Sequence, residues 1–245
     1  MPAAVITLYQ PPSAWGIPSL SPFCTKVETY LRMVDLPYRT RAGDPRKNPK
    51  GKLPWIDDDG RMVSDSSDII DHLNARLGDP LDRALDHTQR ALALLARRTV
   101  EEHLYWCLVY ARWVEPGGYA FSREAFARLL PPVIGKLLVH QVLRKNLVSS
   151  LHSHGLGRHA RDDIYRRGAE DLTAIAVILA DQPYFLGPEP TSVDASLYAF
   201  TGGIWLHPAD NPLKQHMAAL PNLVAYSERM HRRYFGERPP GRSEA

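Results

Sequence analysis

The sequence predicts a small α/β layer followed by an all-helical bundle, and three observations carry that expectation. Short β-prone runs flank an amphipathic helix in the first third of the chain, and a second helix follows a hairpin-like stretch. Gly78-Asp79-Pro80 then reads as a boundary. From Leu81 onward the strand signal vanishes and the remaining candidates are helices. The expected organisation is an α/β domain over residues 1–79 and a helical domain over residues 80–245.

Val5 to Tyr9 is a β-prone run ended by Gln10-Pro11-Pro12, and a proline-rich, glycine-bearing loop continues to Leu20. Ser21-Pro22 opens a helix with serine at the cap and proline at the first helical position. Val27, Tyr30, Leu31 and Val34 give that helix its apolar stripe. It stops near Asp35-Leu36-Pro37, and Tyr38 to Arg41 is a weakly signalled second strand. Leu53 to Ile56 and Arg61 to Val63 flank Asp58-Asp59-Gly60, the signature of a hairpin turn. Pro54 has no N–H to give a strand ladder, which suits an edge strand or a cis turn whose neighbouring backbone groups stay free. Ser64 to Ser67 supplies cap chemistry for a helix carrying Ile69, Ile70, Leu73 and Leu77.

In the second part, Asp86 to Val114 reads as one long helix ended by Glu115-Pro116-Gly117-Gly118. Another starts at Ser122 and breaks or kinks at Pro131-Pro132. A third follows Gly155-Leu156-Gly157, with Leu172, Ile175, Ala176 and Leu179 as its stripe. Ser192 to Leu206 and Asn222 to Phe235 complete a bundle of about five.

A chain of 245 residues has ample length for a buried core, and 44% hydrophobic with 23% charged residues marks a globular protein. A net charge of +3 is too small to argue for nucleic acid. The local basic run Arg39, Arg41, Arg46, Lys47, Lys50 and Lys52 fits either a solvated loop or a counter-charge for a small acidic ligand. Two cysteines, Cys24 and Cys107, neither staple a chain of this size nor show zinc spacing; no HExxH pair occurs, and His152, His154 and His159 lie in a glycine-bearing turn and read as exposed. The expectation is no metal. With no signal-peptide pattern and no apolar run of membrane-spanning length, the expected setting is cytoplasmic.

Four places hold residues able to do chemistry. The first N–H groups of the helix near Asp65 and Ser66 have no partner inside the helix, so they form an anion site beside the free backbone near Pro54. A hairpin and capped helix with nothing bound fits the same residues. Ser21 is either a plain cap or a hydrogen-bond donor to a ligand thiolate. One such donor contributes about 1.5–3 kcal/mol, enough to lower a thiol pKa by roughly one to two units. Cys24 lies in the same helical turn, so Ser-Pro-Phe-Cys has the spacing of a redox C-x-x-C with its first cysteine replaced. Without that partner, a buried spectator and a lone reactive thiol both remain open. Trp106, Tyr110 and Trp113, at i, i+4 and i+7, are either core or a wall for a flat apolar substrate. Thr191-Ser192-Val193-Asp194 is a structural capping box.

Taken in order, these pieces resemble the glutathione transferase superfamily, with its thioredoxin-like N-terminal domain and helical C-terminal domain. The resemblance is carried by Ser21-Pro22-Phe23-Cys24-Thr25-Lys26-Val27-Glu28, by Pro49-Lys50-Gly51-Lys52-Leu53-Pro54, by Ser64-Asp65-Ser66, and by Thr191 to Asp194 after Pro183-Tyr184-Phe185-Leu186-Gly187. The long first loop with Trp15-Gly16, together with Pro221 to Tyr226, looks most like the metaxin-related, failed-axon-connections-like branch. The resemblance implies glutathione as co-substrate, with Ser21 activating its thiol and the Leu53 backbone, before a cis Pro54, pairing with its cysteinyl part. It implies Asp65 facing the γ-glutamyl ammonium, Ser66 and the helix N–H groups facing the carboxylate, and Lys52 meeting the glycyl carboxylate. A homodimer is usual for the superfamily. Asp65 stands where the superfamily usually has glutamate, a shorter reach, and the Pro11 to Leu20 loop is long enough to cover or reshape the site. Three functions follow as expectations: conjugation of glutathione to (or reduction of) a small hydrophobic electrophile, a glutathione-binding or protein-interaction module without turnover, and thiol–disulfide chemistry through Cys24.

Overall fold

Residues 5–128 and 135–236 are described by a computed structural model. Strand β1 (Ile6–Gln10) runs parallel to β2 (Tyr38–Ala42), with helix α1 (Pro22–Met33) as the crossover between them. β1 also pairs antiparallel with β3 (Trp55–Asp58), which pairs with β4 (Arg61–Ser64), giving the order β2-β1-β3-β4. The hairpin turns at Asp59 and Gly60, both at positive φ (56° and 83°), as a tight two-residue connection requires. Helix α2 (Ser66–Leu77) follows and ends at Gly78 in the left-handed conformation.

Period-two alternation puts Ile6, Leu8 and Ile56 on one face of the sheet, where Val27, Tyr30 and Leu31 of α1 and Ile69, Ile70 and Leu73 of α2 cover them. α1 is buried along almost its whole length, so its charges lie inside the protein. They are paired there, as buried charges must be. Arg32 reaches Glu28 at 3.1 Å, and Lys26 reaches Glu101 at 2.7 Å.

The hairpin corrects one expectation. β3 is an interior strand, paired on both sides, so Pro54 does not mark a sheet edge. It takes the other option, a cis Leu53–Pro54 bond immediately before the strand. Among the described residues the Leu53 N–H and C=O carry no hydrogen bond. The free backbone is therefore the pre-strand turn.

Asp86 and Gln89 cap each other at the start of a long helical rod. The rod comprises α3 (His87–Arg98), a π-helical stretch (Thr99–Leu104), α4 (Tyr105–Val109) and a second π-helical stretch (Tyr110–Val114). Pro116 opens α5 (Pro116–Ala127), six residues before the expected start at Ser122, because proline suits a first helical position. Gly118 permits the tight return: a Cβ there would stand 1.9 Å from the Ala111 carbonyl oxygen. The expected break at Pro131-Pro132 lies outside the described residues. Three contiguous pieces follow, α6 (Gly135–Leu138), a π-helical stretch (Val139–Arg144) and α7 (Lys145–His154). The remaining helices are α8 (Arg161–Leu179), α9 (Ser192–Trp205), α10 (Pro212–Ala218) and α11 (Pro221–Tyr234). α7 and α10 are additional to the expected set.

α9 is buried on nearly every side and packs against α1. Its start is fixed by Asp194, which accepts from the Thr191 N–H, the Phe185 N–H and the Tyr226 hydroxyl at 2.8, 3.0 and 3.0 Å. The capping box is structural, as its pattern indicated. Ala195 and Leu81 join the sheet-side cluster, and a second core of the helical region forms around Leu104, Leu172, Leu197 and Met230.

Candidate active site

A cleft of about 930 Å³ opens between the α/β layer and the long helical rod. Ser21, Lys52, Leu53, Pro54, Asp65 and Ser66 line one side, and Trp106 and Trp113 line the other. Eight of the nine residues singled out from the sequence thus share one cavity.

Ser21 stands at the N-cap of α1 with extended backbone (φ −98°, ψ 124°), yet its side chain makes no capping hydrogen bond. The hydroxyl is left half-buried at the cleft. Cys24, one turn on, is fully buried. Burial pushes its thiol up to about 12, and the neighbouring Ser21 and Ser19 hydroxyls offset only part of that. A thiol so placed is protonated and unreactive at neutral pH. The geometry therefore favours the spectator role for Cys24 and removes the support for disulfide chemistry through it.

Asp65 is exposed and caps α2, accepting from the Ser67 N–H at 2.9 Å. Its φ of 82° is rare for a residue with a Cβ, a strain of about 1–3 kcal/mol that concentrates at functional sites. Ser66 is buried at the first helical position. Behind it, Lys26 donates to Ser66 Oγ at 3.2 Å and Ser67 Oγ at 3.1 Å. Lys52 is exposed at the mouth, where Lys50 pairs with Asp68.

The opposite wall corrects the choice of Tyr110. An α-helix turns about 100° per residue. The face toward the cleft is centred on Arg98, Glu101, Tyr105, Val109 and Arg112, with Trp106 and Trp113 on its flank. Tyr110 lies past that flank and packs edge-on against Tyr165, with ring centroids 5.7 Å apart. Phe23, Tyr105 and Phe200 form an edge-to-face cluster beside the Ser21 turn, and Phe126, Leu143 and Leu147 extend the apolar end.

Arg112, with Glu101, is a buried charge of this wall. It is buried and donates to the carbonyls of Leu20 (3.3 Å) and Gly203 (2.7 Å), with no carboxylate partner among the described residues. Burial lowers its pKa to about 10, so it stays charged at neutral pH. It also holds the first loop: Trp15 packs against His207, and the Arg112 guanidinium lies 5.8 Å from the Trp15 ring. Of that loop only Leu20 lines the cleft, so the loop docks on the helical region and does not cover the site.

Sequence reasoning assigned no site role to Lys26, Glu101, Tyr105 or Arg112. Lys26 sits in the quoted Ser21 to Glu28 motif, but nothing in a single sequence says that both flanks of α1 are covered. Tyr105 adjoins the tryptophan stripe and was displaced by one position on the helical wheel.

The comparisons with known proteins bear on the family and the fold. Residues 22–118 match the glutathione S-transferase N-terminal domain and residues 168–230 match the glutathione S-transferase C-terminal domain. The chain is 33% identical over 240 residues to isoprene-epoxide–glutathione S-transferase of Rhodococcus sp. strain AD45, a span covering 94% of this chain and 99% of that protein. The chain belongs to the glutathione S-transferase family. Within it, the chain is also 32% identical to Failed axon connections of Drosophila melanogaster, spanning 94% of this chain and 58% of that longer protein. It is 28% identical to metaxin-1 of Macaca fascicularis, over 98% and 80%. These relatives match the branch that the first loop and the Pro221 to Tyr226 segment resemble. Among solved structures, the β-etherase from Sphingobium sp. strain SYK-6 superposes with a TM-score of 0.66 at 19% identity, covering 97% of both chains. A glutathione transferase from Phanerochaete chrysosporium gives 0.67 at 16%, covering 95% of this chain and 98% of the other. These likenesses show the thioredoxin-like plus helical fold.

Proposed function

We propose that this transferase-family chain binds glutathione along the α/β side of the cleft and joins its thiolate to a small apolar electrophile held against the rod. Ser21 donates to the sulfur, the Leu53 backbone pairs with the cysteinyl unit, Asp65 and Ser66 take the γ-glutamyl end, and Lys52 meets the glycyl carboxylate. The observation that carries this reading is the Ser21 hydroxyl, which makes no capping hydrogen bond and lines the same cavity as the unpaired Leu53 backbone and the start of α2. An aromatic and aliphatic wall across from them suits an apolar second substrate. The similarity to the isoprene-epoxide–glutathione S-transferase of Rhodococcus makes a small epoxide the first electrophile to try. The reading includes a homodimer, checked by sedimentation, and a domain boundary at Gly78-Asp79-Pro80, checked by limited proteolysis.

Calorimetric titration with glutathione, wild type against Asp65→Ala, tests the binding half. The expected result is saturable binding that weakens about tenfold or more in the variant, the scale of one hydrogen bond to a charged group. Saturating glutathione without any heat or protection would end this account. The runner-up, a glutathione-binding or interaction module without turnover, is favoured by the similarity to metaxin-1 and Failed axon connections. Binding with no conjugation across epoxides, aryl halides and enones would establish it instead.

A further inference from the structure

Lys26 is buried, with its side chain 1% exposed, and an ammonium group has three N–H donors. The three partners are Ser66 Oγ at 3.2 Å, Ser67 Oγ at 3.1 Å and Glu101 at 2.7 Å. Glu101 is itself steadied by the Ser196 hydroxyl at 2.8 Å, so the cation is neutralised from the helical side. Its other two hydrogens go to serine oxygens that line the cleft.

That arrangement fixes which way the serine protons point. A hydroxyl has one hydrogen and two lone pairs, and an ammonium cannot accept. With a lone pair of each serine occupied by Lys26, each hydroxyl hydrogen is turned away from it. The first N–H of α2, at Ser66, has no partner within the helix. Asp65 already takes the Ser67 N–H. The start of α2 therefore offers several donors and little to donate to.

We propose that Lys26 is the positioning residue of this end of the cleft, setting Ser66 and Ser67 as donors so that the site selects the α-carboxylate of a γ-glutamyl group. The inference rests on the glutathione reading above and deepens it. Lys26 acts through the serines and touches no substrate atom.

The test compares glutathione with 4-aminobutyryl-cysteinyl-glycine, which keeps the amine and the thiol but lacks that carboxylate. Wild type is expected to prefer glutathione by roughly ten- to a hundredfold, the range of one charge-assisted hydrogen bond. Lys26→Met alone leaves Glu101 buried without its ion partner, so the informative variant is Lys26→Met with Glu101→Gln, its fold checked by circular dichroism and thermal melting. Its preference should fall to within about threefold of unity, with analogue affinity unchanged and the loss read in KM for glutathione rather than kcat. Ser66→Ala with Ser67→Ala keeps the buried ion pair and should erode the same preference. A double variant that folds and still prefers glutathione as wild type does would overturn the role of Lys26. Equal wild-type affinity for both ligands would overturn the carboxylate assignment. Absence of any glutathione binding by wild type would overturn the underlying function instead, so the failures are distinguishable.

Discussion

The two walls of the cleft are built on different principles. On the α/β side, the residues proposed to touch glutathione sit where an element begins: Ser21 before α1, Lys52 to Pro54 before β3, Asp65 and Ser66 at the head of α2. Element ends have unspent backbone N–H and C=O groups, so this wall presents fixed polar groups. The rod contributes its flank, where the backbone bonds are internal and only side chains project. One wall is suited to recognising a particular polar ligand, and the other to accommodating an apolar one by shape. If that division is right, substitutions on the first wall should disturb glutathione and those on the second should disturb the electrophile.

The largest effect belongs to Ser21. Ser21→Ala should reduce turnover of a reactive aryl halide or epoxide at neutral pH by roughly ten- to a hundredfold, since one hydrogen bond to a thiolate contributes about 1.5–3 kcal/mol. The pKa of bound glutathione, read from thiolate absorbance or the pH–rate profile, should rise by about one to two units. Below the wild-type value both bound thiols are protonated and the fold difference should be at its full, constant size; it should narrow as pH rises past the wild-type value and close in alkali. Unchanged turnover with an unchanged profile would take the thiol away from Ser21. KM for the electrophile should stay within about twofold, because the rod is untouched.

The second wall gives the next effect and discriminates between neighbours. Tyr105→Ala and Trp106→Ala remove cleft-lining rings and should raise KM for an apolar electrophile several-fold, about 1–2 kcal/mol of lost contact. Tyr110→Ala should leave KM alone and register in the melting temperature, since that ring packs on Tyr165. The reverse pattern would mean that the rod presents a different face.

The same contrast explains how much of this molecule was legible in its sequence. Element ends are written in residue type: Ser-Pro at α1, Asp-Gly in the hairpin, Asp-Ser at α2 and the Thr191 to Asp194 box all stand where their chemistry placed them. A helix face is written in rotation instead, and errors of one position matter. The stripe Trp106, Tyr110 and Trp113 therefore includes Tyr110, which turns away from the cleft, and omits Tyr105, which lines it. Lys26 and Arg112 were beyond reach for another reason. A cation reads as solvated until its three-dimensional neighbours are known, and the partners of both lie 40 or more residues away in sequence. Cys24 had two readings, and only depth separates them. With its thiol pushed up to about 12, it should ignore a disulfide reagent at neutral pH and react once the chain is unfolded.

The smallest effects concern what holds each wall in place, and here the two walls differ in sign. On the α/β side, Asp58 at the end of β3 accepts from His72 at 2.8 Å and pairs with Arg76, both on α2. Burial alone would raise its carboxyl, but these bonds and charges outweigh burial and hold it below the usual carboxylate range. Behind the rod, Asp171 of α8 accepts from His103 at 2.6 Å, yet burial dominates and raises its carboxyl despite that partner. A carboxyl lowered by folding contributes stability above the unfolded value of about 3.9, and that contribution is lost as pH falls through the folded value. A raised one favours the fold at low pH and opposes it once ionised. Asp58→Asn should therefore destabilise at neutral pH by about 1–2 kcal/mol, a fall in melting temperature of roughly 2–8 °C, with the gap to wild type closing below about pH 4. Asp171→Asn should cost less at neutral pH than Asp58→Asn, and its penalty should not shrink on acidification. Melting curves of both variants from pH 3 to 7 check this. Parallel loss of stability in acid by the two would mean that the walls are braced alike.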